Sequence, residues 1–165
     1  MPVDRMAQLR AHVAENDTAE AECEGCGEIS RKLERLRQLN NDLEEAQASH
    51  LSMGDRRSAK RIEKLIGDLA SESQATRNLI VEFGNETKRL EAKRSLNASQ
   101  VAMRKNVFEN LIHKLDEVTR GGWDRQKQHE HNVTKQVEKR LRVRFTDPSG
   151  NLTLPEEDVS RIAKQ

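Results

Sequence analysis

The chain contains no proline between Val3 and Asp147, because its three prolines are Pro2, Pro148 and Pro155. Proline inside a helix removes a hydrogen bond, clashes with the preceding turn and costs about 3 kcal/mol. A proline-free stretch of this length therefore allows long uninterrupted helices. Charged residues make up 35% of the chain and aromatic residues only 2%, which leaves little material for strands or for an aromatic-lined active site. The composition predicts an all-α protein.

The size of the chain, 165 residues, is that of a single domain. Its large apolar residues are few, which leaves extensive disorder as an alternative. Disordered chains usually carry a high net charge, whereas this chain has a net charge of only +1. Its apolar residues also recur at helical spacing. We therefore favour a folded bundle with a thin core.

Apolar residues that alternate in steps of three and four define three long helices, separated by short breaks at Gly54 and at Ser95 to Asn97. Glycine suits the left-handed position after a helix, and asparagine suits the cap before one. The predicted helices cover about 20–52, 55–94 and 97–145. Because such short connections join antiparallel neighbours, we expect an elongated antiparallel up-down-up three-helix bundle with a left-handed twist.

The seams of these helices contain irregular positions. In the first helix the seam includes three polar residues, Asn40, Gln47 and His50, and such residues set helix register at a cost in stability. In the third helix the predicted seam begins at Val101, Phe108 and Leu111 and passes through Gly122. The Gly121-Gly122 pair predicts a kink or a close helix approach, with Trp123 packed over the gap.

The remaining segments flank the bundle, which is expected to span 20–146. Residues 1–19 form a flexible arm, and residues 147–165 form a linker with a short helix that ends at about Ala163.

The motifs that accompany catalysis are absent from the sequence. There is no glycine-rich phosphate loop, no G-x-S-x-G, no H-E-x-x-H and no EF-hand loop. Cys23 and Cys26 form a single C-x-x-C, with no second pair of ligands for zinc. We expect no enzyme activity, no catalytic residues, no cofactor and no metal, and the role of the two thiols stays open.

A basic run ends the third helix, and its cations form the predicted basic surface: Lys135, Lys139, Arg140, Arg142 and Arg144. Such a run can hold the phosphates of a lipid or a nucleic acid. No aromatic residue interrupts it and Glu138 does, so we expect no nucleic acid as a partner. A solvated helix end is the plainer alternative.

Several segments resemble the N-terminal Habc domain of syntaxins, the Qa-type SNAREs of membrane fusion. Leu43-Glu-Glu-Ala-Gln-Ala-Ser-His50 is similar to the end of helix Ha, and Leu65-Ile-Gly-Asp-Leu69 with Asn78-Leu-Ile is similar to Hb. The features that resemble Hc and the linker after it are Arg104-Lys105, Leu111-x-x-Lys-Leu115-x-Glu-Val118, Glu138-Lys-Arg140 and Leu154-Pro-Glu-Glu-Asp-Val159. The resemblance covers about 29–162 and rests on the order and lengths of the three segments.

The N-terminal arm resembles the syntaxin N-peptide, which docks onto Sec/Munc-type regulatory proteins. Its segment Asp4-Arg5-Met-Ala-Gln-Leu9-Arg10 carries Met6 where the family has threonine. The resemblance implies that Leu9 enters a pocket of the partner while Asp4 and Arg5 orient the peptide.

The resemblance also implies a mechanism. In the family a SNARE helix and a membrane anchor follow the Habc domain, which folds back on the SNARE helix and controls its assembly with other SNAREs. Neither segment is in this sequence. We expect the partner helix in the groove between the second and third helices, with Val81, Val107 and Ile112 as an apolar patch.

The resemblance places the whole protein on the cytoplasmic face of the plasma membrane or an endomembrane, with this fragment cytosolic and monomeric. Two alternatives remain open: a structural spectrin-like or coiled-coil module, and a helical bundle that binds lipid or nucleic acid.

Overall fold

A computed structural model describes residues 25–54, 56–147, 149 and 153–163, and the regular structure of these residues is helical. In chain order the helices are α1 (Cys26–Met53), α2 (Arg56–Ala92), α3 (Ala98–Arg144) and α4 (Glu156–Ala163). The three long helices pack against one another, and α4 packs on α3. At 1.5 Å per residue, the 47 residues of α3 extend about 70 Å. For the residues that the structure describes, the prediction of an all-helical fold is confirmed.

Capping residues mark the end of α1 and the start of α3. Gly54 has a φ of 63°, in the left-handed region, and its N–H donates to His50 O at 2.8 Å. Asn97 accepts from the backbone N of Gln100 at 2.8 Å, and Gln100 Oε1 accepts from the backbone N of Asn97 at 3.0 Å. These bonds satisfy helix-end groups that would otherwise lack partners. The arm at 1–19 and residues 20–24 of the first predicted helix lie outside the described residues.

Two apolar clusters form the core. The larger lies at the end where α1 begins and joins all three long helices: Cys26, Ile29, Leu33, Leu36, Ile80, Phe83, Val107, Leu111 and Leu115. The smaller joins the second half of α1 to the start of α2: Leu39, Leu43, Ala46, Ile62 and Leu65. The second half of α3 contributes no residue to either cluster.

Ion pairs show how α1 and α2 are matched. Lys32 Nζ lies 3.0 Å from Glu72 Oε1, and Arg61 lies 3.8 Å from Glu45. As the residue number rises along α1, it falls along α2. The Arg61–Glu45 pair is exposed, and exposed pairs contribute about 0–1 kcal/mol, so it reports the arrangement of the helices more than it stabilises it.

The same opposite order relates α2 and α3, where Glu91 pairs with Lys105 at 3.0 Å and Arg77 pairs with Asp116 at 4.0 Å. Between α1 and α3 the residue numbers rise together, because Asn40 contacts Val118 and Gln47 contacts Gln126.

Buried polar residues connect the second half of α1 to α3. Asn40 Nδ2 donates to Val118 O at 3.1 Å, and Gln47 Nε2 donates to Gln126 Oε1 at 2.9 Å. Both α1 side chains are buried, as is His129. The polar positions that the sequence places in the α1 seam therefore face α3, where hydrogen bonds offset part of the cost of burial.

The predicted seam of α3 misses two buried residues in its first turns, although its members Phe108 and Leu111 pack in or against the larger cluster. Arg104 and Val107 are buried there, whereas Val101 and Phe108 are only half-buried. Arg104 Nε donates to Thr87 Oγ1 at 3.0 Å, and its guanidinium carbon lies 4.4 Å from the centroid of the Phe83 ring. A pattern search passes over arginine as a core residue, because arginine is rarely buried without partners.

The short helix α4 is fastened to the end of α3. Val159 is fully buried, and Arg142 forms an ion pair with Glu156 at 3.3 Å. Upstream of α4, Thr153 donates to Phe145 O from its backbone N at 2.7 Å and from its hydroxyl at 2.6 Å. The predicted short helix is thus present and lies against α3.

Candidate partner-binding groove

An open apolar groove of about 450 Å³ runs between α2 and α3, and α1 forms its floor. The residues that line it are Leu36, Asn40 and Leu43 of α1, Ile66, Leu69, Ala70, Ser73, Gln74 and Arg77 of α2, and Leu115, Val118, Thr119, Gly122, Trp123 and Gln126 of α3. Among the described residues, this lining holds no carboxylate, imidazole or thiol. Its chemistry is that of apolar packing with a polar margin.

Small residues create the groove. Along the α2 seam, no large apolar side chain lies between Leu69 and Thr76, and the groove is lined there by Ala70 and Ser73. On α3 the seam reaches Gly122. Two facing seams that both lack large side chains cannot close on each other. This coincidence is the sequence signal that could have located the groove.

Gly122 also explains the shape of the floor. A Cβ at this position would lie 2.6 Å from Asn40 Oδ1, so the glycine allows α1 to approach α3 closely. Helix α3 continues through the glycine pair. Of the two predicted alternatives, the structure therefore shows the close approach.

Trp123 lies at the rim of the groove and is 64% exposed. The prediction that it packs over the gap left by the glycines is wrong, because Asn40 occupies that space. A large exposed aromatic side chain beside an apolar groove is instead available to a partner, and tryptophan is enriched among residues that dominate binding energy.

The three residues predicted to line the groove do not form one patch. Val107 is 1% exposed and belongs to the larger core cluster, so its assignment to a surface is wrong. In this turn of α3, Val107 and Arg104 are buried, and Phe108 is half-buried against the same cluster. Val81 and Ile112 are 51% and 40% exposed.

The two exposed members flank the α2–α3 seam beyond the groove. Arg77 of α2 pairs with Asp116 of α3 at 4.0 Å. Val81 lies one turn further along α2, and Ile112 lies one turn earlier on α3. Because residue numbers run in opposite directions along the two helices, Val81 and Ile112 both lie beyond the same end of the groove, past this ion pair.

A pair of histidines, His50 of α1 and His129 of α3, lies between these two helices and outside the groove lining. The rings of His50 and His129 have centroids 5.7 Å apart, and both Nδ1 atoms are buried without a hydrogen-bond partner among the described residues. Burial lowers the pKa of His129, and the neighbouring His50 lowers it further, while Glu130 acts in the opposite direction. Protonation therefore weakens the packing of α1 on α3 at this level.

The predicted basic surface is divided. Arg142 pairs with Glu156 of α4, whereas Lys139, Arg140 and Arg144 line a cleft between the ends of α1 and α3. Lys135 is exposed on α3.

The other predicted features are not part of the groove. Asp4, Arg5 and Leu9 lie outside the described residues. In the part of the chain that the structure describes, no three His, Cys, Asp or Glu side chains are grouped closely enough to hold a metal ion. None of the described helices combines the length and the apolar character needed to cross a membrane.

Comparison with protein-family models, with curated proteins and with solved structures finds no match for this chain.

Proposed function

We propose that this chain is the regulatory N-terminal domain of a syntaxin-like SNARE, and that it controls SNARE assembly by holding the SNARE helix in the α2–α3 groove. The observation that carries the proposal is the open apolar groove between the second and third of three packed helices. An amphipathic helix buries its apolar face in such a groove through side chains three and four residues apart.

The proposal requires a particular topology, an up-down-up bundle with a left-handed twist. The order of the cross-helix contacts supports it, since residue numbers run oppositely between α1 and α2 and between α2 and α3, and together between α1 and α3. The heptad spacing of the seams supports the left-handed twist.

The groove has the dimensions of a helix-binding site. Its α2 wall runs from Ile66 to Arg77, which at 1.5 Å per residue is about 16 Å, or three helical turns. A helix lying there would meet Leu69 and Val118 along its apolar face and Trp123 at its edge. The exposed Val81 and Ile112 would lengthen the contact past the ion pair of Arg77.

The proposal also names partners and a place. The N-terminal arm, through Asp4, Arg5 and Leu9, recruits a Sec/Munc-type regulatory protein, and release of the SNARE helix allows it to assemble with other SNAREs. The whole protein is anchored in the plasma membrane or an endomembrane, with this domain on the cytoplasmic face.

The first test is the coding sequence after Gln165. The proposal requires a heptad segment of about 60 residues followed by about 20 apolar residues. A stop codon, or a continuation of any other kind, contradicts the proposal.

The second test is a calorimetric titration of this domain with that heptad segment. Ala70→Arg places a charge in the groove, and we expect it to weaken binding at least tenfold. Ala59→Arg is the matched control, because Ala59 is an exposed alanine of α2 outside the groove. Equal affinities for the two variants would remove the groove from the mechanism. Sedimentation equilibrium adds a check: an intramolecular bundle is monomeric at micromolar concentration, whereas a coiled-coil module self-associates.

A further inference from the structure

A second concave surface lies at the C-terminal end of α1. It is a cleft of about 550 Å³ between Leu51 and Ser52 in the last turn of α1 and the last turns of α3, where Gln136, Lys139, Arg140, Val143 and Arg144 line it. This cleft shares no lining residue with the α2–α3 groove. A ligand in it would therefore not compete directly with a helix in the groove.

The end of α1 positions one wall of the cleft. Gln136 Nε2 donates to Leu51 O at 3.0 Å, which ties α3 to the last turn of α1. The guanidinium of Arg140 lies against Gly54, with Nη2 3.3 Å from the position that a Cβ would take there. A cation at this place is favoured by the partial negative charge at the end of a helix. The Arg140 guanidinium thus lies beside the C-terminal end of α1.

The charge of the cleft is not neutralised. Among the described residues, Lys139, Arg140 and Arg144 form no ion pair, whereas neighbouring Arg142 is taken by Glu156 of α4 at 3.3 Å. From 135 to 147 the sequence carries five cations against two anions, Glu138 and Asp147. Asp147 already accepts a hydrogen bond from the backbone N of Ser149 at 2.9 Å.

Apolar surface lies between these cations. Val143 is 74% exposed, and half-buried Leu51 is at the inner side of the cleft. No aromatic side chain is among the described residues that line it, so bases of a nucleic acid would find no ring on which to stack. Cations around an exposed aliphatic side chain match a surface that is anionic at its head groups and apolar just beneath them.

We propose that this cleft docks the end of the bundle onto an anionic lipid bilayer, with Lys139 and Arg144 on lipid phosphates and Val143 inserted between head groups. The inference does not depend on the SNARE assignment, because it uses only the end of α3 and the end of α1. Each neutralised cation should lower the partition onto vesicles about fivefold, and high salt should abolish it.

Vesicle co-sedimentation tests the proposal with the full 165-residue chain. Vesicles of phosphatidylcholine with 30% phosphatidylserine should bind it, and vesicles of phosphatidylcholine alone should not. Lys139→Gln with Arg144→Gln should reduce binding about 25-fold. The matched control neutralises Lys88, in the last turns of α2, and Lys93, just after α2, which are exposed at the end of the bundle away from the cleft, and it should leave binding unchanged. Equal losses of vesicle binding in the two double variants would show that the overall charge of the protein, and not the cleft, drives binding. That result would contradict the proposal.

Fluorescence separates insertion from simple attraction. Trp123 is the only tryptophan, and it lies about 30 Å from Val143 along α3. Val143→Trp in a Trp123→Phe background should shift its emission to the blue on anionic vesicles, while Trp123 of the unaltered chain should not shift. Binding to inositol hexakisphosphate or to RNA without binding to vesicles would overturn the membrane assignment, and so would equal binding to neutral vesicles.

Discussion

Asn40 Oδ1 occupies the place that a side chain at Gly122 would need: an ideal Cβ there would lie 2.6 Å from this oxygen. The Asn40 amide is fixed, because its Nδ2 donates to Val118 O at 3.1 Å. The asparagine and the glycine therefore form one unit that sets how closely α1 approaches α3. The same unit forms part of the floor of the groove.

This relationship predicts opposite effects for two adjacent glycines. Gly122→Ala should lower the free energy of unfolding by about 1–3 kcal/mol, because the methyl group must displace Asn40. Gly121→Ala should raise it by about 0.5–1 kcal/mol, because a Cβ there meets only the end of Arg125 at 3.7 Å and alanine favours a helix. Urea denaturation measures both. Destabilisation of similar size in the two variants would refute the close approach.

The burial of Val107 predicts a second contrast. Val107→Ala should cost about 2–3 kcal/mol of unfolding free energy, because it removes methyl groups from the centre of the larger core cluster. Val81→Ala should change the free energy by less than about 0.5 kcal/mol, because Val81 is half-exposed. Thermal and urea unfolding would show the difference. If Val107→Ala changes the free energy of unfolding as little as Val81→Ala does, Val107 is not a core residue.

The histidine pair predicts a pH dependence. The pKa of folded His129 is lowered by burial and by His50 of α1, and only Glu130 raises it. Near pH 6.5 the unfolded chain therefore binds more protons than the folded one. Stability from this group is present above about pH 6.5 and is lost as pH falls through the lower folded pKa.

Urea midpoints at pH 7.5 and 5.5 measure this loss. The difference between them should shrink in His129→Gln. The control is His131→Gln, since His131 is exposed two residues away on the same helix, and it should leave the difference unchanged. If both variants behave alike, the buried pair is not the source of the pH dependence.

The fold class followed from sequence because its causes are local. Helix formation here depends on the lack of proline, on heptad spacing and on the capping residues Gly54 and Asn97. Each of these affects only the backbone a few residues away. The polar seam residues Asn40 and Gln47 were also recognisable, since they occupy heptad positions. Each of these features depends on backbone preference and period, both of which a sequence displays directly.

The position of the groove between the second and third helices followed from sequence, but the residues that line it did not, because they depend on how two seams meet. Val107 and Phe108 are adjacent apolar residues, and sequence alone does not say which one faces inward. Val107 is the more deeply buried of the two, and Arg104 is buried near it on Thr87 and Phe83 of another helix. Trp123 was misplaced for a similar reason, since the space beside Gly122 is filled by Asn40 from α1. Contacts between distant segments decided both positions.

NMR of methyl and indole groups during a titration with the heptad segment that the proposal requires after Gln165 tests the central claim most directly. If the groove between α2 and α3 holds the partner helix, signals of Ile66, Leu69 and Val118 and of the Trp123 indole will shift, while those of Ile29 and Val107 in the core will change little. Shifts confined to Val143 and Leu51 at the end of the bundle, or no shifts at saturating peptide, would contradict the account.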